Sequence, residues 1–595
     1  MARTVIADDP LVRLQDEYTV GLDERGRVRI SPTDVSQFIR LDQCERYLRL
    51  RLHERSAGLR FMSDYDVVPQ SIPPLLTQSG TLFEERVERT VAAGFRTINL
   101  ALPVGDEFDS PHSRPTDNER VVAEVRALAA GETLVLFQPR LLVGLGSWDV
   151  RGDIDILRLA RDPSGALHVL IADIKSSTSA KVEHRLQVAF YAEMVAALLA
   201  GAGIAADQIQ MKLGILYRGP SADAPPATAA DASRRELERA QAIDLLGVED
   251  GLLELIPDAD AYRGSVRDLV TGDRSTTRRV IAAPFAEVPF HLTTKCDGCL
   301  YNEFCMKRSA ETDDLSLLPH LTEQDKRALQ RNGVPTTADL AALKDLHREG
   351  HVSVDGEIQP RTELVPAPGK SMLTRRLAAT WPVGQRLDEL IHRARRYRRW
   401  KKDDVEALSF IPSKGYGSLP YSDATQNPNL IRIYVDAQHD YLLDRTYLLG
   451  ALVVASEGGV ETPERRRSVV RLSDGPPDTL AKEERLFVDW IEATLRAIVE
   501  LAAPDAEGQP RAPIHLIFYD GFAQRVLLDG LARHAETILG AIPLYDFVTQ
   551  LAAFDSPIAS FLDREIRDQK NYPMVCQSLQ AVAAFLQFDW NDGTP

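Results

Sequence analysis

The sequence predicts an α/β protein built from several domains, and three observations carry that expectation. At 595 residues the chain is too long for a single hydrophobic core, so three or four domains are expected. Strand-like runs alternate with helical stretches over residues 133–217, and a second α/β pattern starts at Ile431. Hydrophobic residues at 44% and charged residues at 26% are ordinary for a folded protein and exclude collagen-like, mucin-like or broadly disordered classes.

Taken in order, Ser31-Pro-Thr-Asp is an N-cap signal. Residues 31–56 then read as one amphipathic helix through Phe38, Leu41, Tyr47 and Leu48, with Cys44 on it. Residues 80–93 read as a second helix and 118–130 as a third. Runs 133–143, 150–159 and 166–175 read as strands, the last two forming a hairpin about the turn at Arg161-Asp-Pro-Ser-Gly165. A helix over 180–200, a strand at 211–217 and a surface loop at 218–232 follow. Further helices lead to three cysteines within residues 296–305. Residues 312–345 suggest a small helical hairpin, and the Pro-, Gly- and Ser-rich stretches 351–372 and 409–429 read as linkers. The last part shows strands at 431–436, 446–454 and 514–519 and a long helix over 480–502.

Seventy basic against 87 acidic side chains leave a net charge of −17, which argues against a surface coated in nucleic acid. It is compatible with a basic channel set into an acidic exterior. The N-terminus carries acids where a signal peptide needs an apolar run, and the weakly polar stretch 194–206 is too short to cross a bilayer. A soluble, cytoplasmic protein without a membrane partner is expected. Of five cysteines, Cys296, Cys299 and Cys305 crowd into ten residues, which in a reducing compartment reads as metal or cluster ligation; Cys576 has no such company.

The most informative segment is Gly152-Asp-Ile-Asp155, followed by Asp173-Ile-Lys175. Alternate strand residues share a face, so Asp173 and Lys175 point one way and Ile174 the other. Asp155, on the preceding strand, reaches that face through hairpin pairing. Two carboxylates beside a lysine suit Mg²⁺ or Mn²⁺, which keep open water positions. Such a metal acidifies water for attack on a phosphodiester, and a lysine can orient that water or steady developing charge. Gln187 and Tyr191, four residues apart, share a helical face that can turn toward the site. Glu84, on an earlier helix, offers a further ligand. An Asp-x-Lys alone is commonly a solvated strand face; its company makes it informative.

The order Glu84, Gly152-x-x-Asp155, Asp173-Ile-Lys175, Gln187-x-x-x-Tyr191 resembles the RecB-like branch of the PD-(D/E)XK nucleases. The resemblance implies a restriction-endonuclease-like core with helical insertions. It assigns Asp155, Asp173 and Glu84 as metal ligands, Lys175 as the catalytic lysine, and Gln187 with Tyr191 as substrate-positioning residues. Asp153 is the rival of Asp155 and Glu85 the rival of Glu84, since relatives often carry His at that first position. The spacing of Cys44, Cys296, Cys299 and Cys305 allows zinc or a four-cysteine iron–sulfur cluster. Several RecB-like nucleases place one cysteine before the core and three after it, which implies a 4Fe–4S clasp here.

Residues 392–402 hold a basic run interleaved with Tyr397 and Trp400. Arg395, Arg396, Arg398, Arg399 and Lys401 are its candidate nucleic-acid contacts, against an exposed helix whose aromatics face the core. Ile431-Arg-Ile-Tyr-Val-Asp436-Ala-Gln438 resembles the first strand of an RNase H-like fold. Gln438 stands where a second carboxylate is expected, which implies a degenerate binding or scaffolding module. Pro368-Gly-Lys-Ser371 lacks the first glycine of a phosphate-binding loop, and Gly144-Leu-Gly146 lacks the third glycine of a dinucleotide fingerprint.

The whole order resembles RecB-like nucleases of the TM0106 type. It implies a nuclease domain over 1–310, a helical hairpin module over 311–350, a linker with a basic helix over 351–429, and an RNase H-like domain over 430–595. The expected function is a Mg²⁺- or Mn²⁺-dependent DNA nuclease acting on single strands or ends in repair, recombination or defence. The alternative is a nucleic-acid-binding scaffold that partners a helicase.

Overall fold

The computed structural model describes residues 18–57, 74–101, 115–220, 228–354, 357–400, 419–440, 443–502, 512–538, 542–553, 556–569, 572 and 574–588. Two compact units emerge, one of Met1–His291 with Lys295–Cys305, the other of Leu292–Thr294 with Met306–Pro595.

The first unit opens with β1 (Val28–Ile30), α1 (Pro32–Arg40) and α2 (Glu45–Ala57). The single helix expected over 31–56 is thus two. Ser31 and Asp34 close a capping box at the start of α1. Asp42 and Gln43 then take left-handed backbone angles, φ 54° and 58°, which a continuous helix forbids. Cys44 consequently stands at the entrance to α2. Arg51 Nε lies 3.0 Å from Asp34 Oδ1 and Arg55 Nε 2.6 Å from Asp34 Oδ2, so the buried Asp34 ties the two helices together.

Next come α3 (Pro74–Gly94), β2 (Arg96–Asn99) and α4 (Asn118–Ala127). The predicted strands 133–143 and 150–159 each break in two, giving β3 (Thr133–Phe137), β4 (Arg140–Leu145), β5 (Trp148–Asp153) and β6 (Ile156–Arg161). The two breaks face each other. Gln138 N donates to Asp155 O and Ile154 N to Pro139 O, both at 3.2 Å, between register pairs Phe137↔Ile156 and Arg140↔Asp153. One long antiparallel pair therefore changes sheets at this point. Pro139, with no N–H to give, sits where the ladder is interrupted.

On one side lies the sheet β1-β5-β4. On the other lies a six-stranded sheet, β2-β3-β6-β7-β8-β9, completed by β7 (Leu167–Lys175), β8 (Ile209–Tyr217) and β9 (Leu252–Leu255). The hairpin expected at 150–175 is the antiparallel pair β6/β7. Parallel β7 and β8 need a crossover, supplied by α5 (Val182–Gly201). This helix is apolar nearly all round, and Leu186, Phe190, Met194 and Leu199 are buried in the main core. The unit continues through α6 (Ala229–Leu246), α7 (Ala259–Val266) and α8 (Thr276–Ala282), and Cys305 lies early in α9 (Asn302–Glu311).

In the second unit, α10 (Glu323–Arg331) and α11 (Thr337–Ala341) occupy the region expected to be a helical hairpin. Much of the stretch read as linker at 351–372 lies in an antiparallel ribbon of β10 (Lys344–Val354) and β11 (Glu357–Pro366). A two-stranded ribbon is all edge, so prolines that would break a central strand are tolerated there. Residues 409–418 of the second expected linker lie outside the described residues. Helices α12 (Ser371–Ala378) and α13 (Leu387–Trp400) follow.

The last sheet has the order β14-β13-β12-β15-β16. Its strands are β12 (Ile431–Asp440), β13 (Arg445–Glu457), β14 (Val460–Leu472), β15 (Ile514–Phe518) and β16 (Ala559–Phe561). The first three pair antiparallel, while β15 and β16 run parallel to β12. Helices α14 (Leu480–Leu501) and α15 (Gly521–Arg533) bury Phe487, Trp490, Val526 and Leu531 in the core of this sheet. Strand β14 was not expected, because its polar run through Arg465-Arg-Arg lacks a buried stripe; it is an edge strand. Among the described residues no helix is long and apolar enough to cross a membrane.

Candidate active site

The break at Ile154–Asp155 delivers a carboxylate to the end of β7. Asp155 Oδ2 accepts the Ile174 backbone N–H at 2.7 Å, and its Oδ1 accepts Gln138 Nε2 at 3.2 Å. Asp173 is 1% exposed and feels the charge of Asp155. Lys175 Nζ lies 2.7 Å from Asp173 Oδ2 as an ion pair. Gln187 Nε2 donates to Asp173 Oδ1 and to the Tyr191 hydroxyl, each at 3.2 Å. Strand alternation and the four-residue helical spacing thus bring Asp155, Asp173, Lys175, Gln187 and Tyr191 together as expected from their periods.

The glycine of Gly-x-x-Asp has a steric reason. A Cβ on Gly152 would stand 2.7 Å from Tyr191 Cε1 and 3.1 Å from Pro32 Cδ. Gly152 therefore lets Tyr191 close over the strand and reach Gln187. The rivals separate cleanly. Asp153 is on β5 and is gripped by Arg140, whose Nε and Nη2 reach its two oxygens at 2.7 Å each. Glu84 is half-buried on α3 and feels Asp155 and Lys175, whereas Glu85 is exposed.

The electrostatics are those of an acid cluster short of positive charge. Burial, then the charge of Asp155, pushes Glu84 up to about 7 against the pull of Lys175. Burial raises Asp173 well above the carboxylate range, with Asp155 adding to it and Lys175 opposing. Burial alone would lower Lys175, but Asp173 and Asp155 outweigh it and hold the ammonium above its ordinary value. Glu88, one turn beyond Glu84, is raised by burial and by Asp155. His184, a turn before Gln187, is pushed down to about 4 by burial and then by Lys175, and so is neutral at pH 7. Sequence reading missed Gln138, Glu88 and His184. The helical spacings Glu84–Glu88 and His184–Gln187 could have flagged two of them; nothing local flags Gln138.

A second cluster gathers in the same unit. Cys44, at the mouth of α2, and Cys299 and Cys305 all have raised thiol pKa values. Burial is the first cause and the neighbouring thiols add to it; Cys299 reaches about 12. All three feel Cys296. Arg40 Nη2 donates to Gly298 O at 2.7 Å, Lys295 pairs with Asp42, and Tyr301 Oη donates to Glu54 at 2.6 Å, fastening the three-cysteine segment to α1 and α2. Arg46 lies 3.3 Å above the Phe290 ring. All five cysteines are free thiols.

As the side chains stand, no group of three or more His, Cys, Asp or Glu among the described residues is set to hold a metal ion. Charge and donor chemistry still bear on which metal would suit these residues. Three crowded carboxylates against one lysine favour a hard cation that takes oxygen ligands. The four partly buried thiols are sulfur donors, which suit a softer metal once their protons are displaced.

The basic run is partly buried in the second unit. On α13, His392, Arg393, Arg396 and Tyr397 are buried. Arg395 donates to the Lys344 carbonyl at 3.0 Å and Arg398 to Asp313 Oδ2 at 3.0 Å. Of the five candidates, Arg399 is exposed, and Lys401 lies outside the described residues. These guanidinium groups satisfy carbonyls and acids of their own unit, with their stems packed inward.

This mixed sheet with inserted helices carries Asp-x-Lys at the end of β7 and a second carboxylate, Asp155, from the break between β5 and β6. Residues 45–306 match the family model described as the PD-(D/E)XK nuclease superfamily, and this part of the chain is a domain of that superfamily. Cys44 falls one residue before the match. No curated protein matches the chain. A solved structure titled "Crystal structure of SSO0001" is similar at 14% identity, over 48% of this chain and 88% of its own, with a TM-score of 0.20. A score at that level leaves the fold assignment to the family match.

Proposed function

We propose that the first unit is a Mg²⁺- or Mn²⁺-dependent deoxyribonuclease of the RecB-like type, with Asp155, Asp173 and Glu84 as ligands. The observation that carries this reading is the meeting of Asp155, Asp173 and Lys175 at one strand end, with Asp173 buried and too weakly compensated by a single lysine. When bound, the cation supplies an acidified water and neutralises charge on the phosphodiester. Lys175, held protonated by Asp173 and Asp155, donates to the non-bridging oxygens as negative charge builds on them. Gln187 holds Asp173 Oδ1 and the Tyr191 hydroxyl in a fixed relation, so the carboxylate cannot rotate away. Neutral His184 and the exposed Lys181 at the mouth of α5 flank the path of the phosphate backbone.

Cys44, Cys296, Cys299 and Cys305 hold a 4Fe–4S cluster in this reading, zinc being the alternative. The cluster is a staple across the nuclease core and takes no part in the chemistry. The second unit is read as a nucleic-acid-binding scaffold of RNase H-like type. Its sheet order, three antiparallel strands followed by two parallel ones, supports this, and Gln438 Nε2 donates to Asp436 Oδ2 at 2.9 Å in place of a second carboxylate. DNA single strands or ends are the proposed substrate, a helicase the proposed partner, and a reducing cytoplasm the setting that suits free thiols.

The test is cleavage of end-labelled single- and double-stranded DNA with Mn²⁺ or Mg²⁺, comparing anaerobically purified wild type with Lys175→Ala and Asp173→Ala. Loss in both variants with iron retained is expected. A wild type inert on DNA and RNA, but iron-loaded, would replace the enzyme reading with the scaffold.

A further inference from the structure

The point where the long strand pair changes sheets contains a residue that the motifs do not include. Gln138 sits at φ 52°, a left-handed angle uncommon for a residue other than glycine, asparagine or aspartate. Its backbone N–H donates to Asp155 O at 3.2 Å and its side-chain Nε2 donates to Asp155 Oδ1 at 3.2 Å. The other carboxylate oxygen accepts the Ile174 N–H at 2.7 Å. Asp155 is thus held at its carbonyl and at both side-chain oxygens. Backbone angles of this kind persist where the surroundings over-determine them, commonly beside functional groups.

We propose that Gln138 is a positioning residue for the divalent-metal site, orienting Asp155 through its side-chain amide; this rests on the nuclease reading above. A carboxylate offers about four lone-pair directions. Gln138 and Ile174 use one on each oxygen, which fixes the carboxylate plane and leaves the remaining directions for the cation. Partners of this sort tune a metal site without touching the metal, and their loss typically weakens metal affinity by about 10- to 100-fold. A Gln is required because glycine or asparagine, the residues that adopt this backbone most readily, have no amide or one a methylene too short.

The experiment is calorimetric titration of the full chain with MnCl₂ alone, comparing wild type with Gln138→Gly, Gln138→Asn and Asp155→Asn. Gln138→Gly keeps the left-handed turn and deletes the amide. It is expected to bind Mn²⁺ about 10- to 100-fold more weakly with no fall in melting temperature, and Gln138→Asn is expected to fall between it and wild type. A purely structural role would instead lower the melting temperature and leave Mn²⁺ affinity unchanged. Wild-type affinity in Gln138→Gly overturns the inference. Equal binding by wild type and Asp155→Asn overturns the metal reading itself, and the inference with it.

Discussion

Glu84→Gln is expected to make the metal-free protein more stable at alkaline pH while removing its response to metal. In the fold Glu84 titrates near 7, against 4.5 for the unperturbed carboxyl, because it is partly buried beside Asp155. The folded state therefore binds the proton more tightly than the unfolded state. Stability contributed by this group is full below about pH 4.5 and drains away as pH rises through 7. At about 1.4 kcal/mol per pKa unit the loss is at most about 3 kcal/mol. Solvent around a half-buried side chain reduces it to about 1–2 kcal/mol. The glutamine has nothing to titrate, so it should gain that amount at pH 8 and little at pH 5. For a unit of this size that is roughly 2–6 °C in melting temperature. The assay is thermal unfolding in EDTA at both pH values, then at pH 8 with excess Mn²⁺, which should raise wild type and leave the variant unmoved. A variant less stable than wild type at pH 8, or one with the same pH slope, would refute the account of Glu84 as an uncompensated acid.

Lys175→Ala should lower turnover by about 10²–10³-fold through loss of an electrostatic donor, with Mn²⁺ binding retained by calorimetry. Cys44→Ser should purify with little iron and a lower melting temperature of the first unit, measured by metal analysis and unfolding under nitrogen. Glu483 is fully buried and holds Arg533 at 2.6 Å, His534 at 3.0 Å and the Thr446 N–H at 2.7 Å. Glu483→Ala should cost the second unit about 3–5 kcal/mol in urea unfolding. Despite its burial, those partners hold the carboxyl down to about 2, so its contribution is full above pH 4.5 and lost as pH falls toward 2. Arg395→Ala should lose about 1–2 kcal/mol of stability by the same assay, with DNA affinity in filter binding within about two-fold of wild type.

What the sequence makes legible here is what short-range periodicity controls. Asp173 with Lys175, and Gln187 with Tyr191, are two and four residues apart, and those spacings fix which side chains share a face. Asp155 reaches the end of β7 although it lies in a break between strands, because hairpin pairing survives the break. Gln138 was invisible, since its importance comes from a residue 17 positions away across a sheet junction. The helix break at Asp42–Gln43 is likewise a tertiary matter, since it lets α2 turn back so that Arg51 and Arg55 pair with Asp34. On helix α13 charge alone suggests exposure, yet arginine stems can lie inside when carbonyls and acids receive their tips.

The paired breaks at Gln138–Pro139 and Ile154–Asp155 make the site sensitive to a lever that ends far from it. Strand β5 carries Trp148, which is wholly buried, and β4 carries Leu141 in the same state. Any tilt of their small sheet turns about the break and arrives at Asp155 as a change in its distance from Asp173. Since packed cores shift as blocks, a cavity opened beneath Trp148 would be felt at the carboxylates as well as in the stability of the fold. Sequence drift in a hydrophobic patch that touches neither carboxylate is thus a route by which the spacing of Asp155 and Asp173 can change.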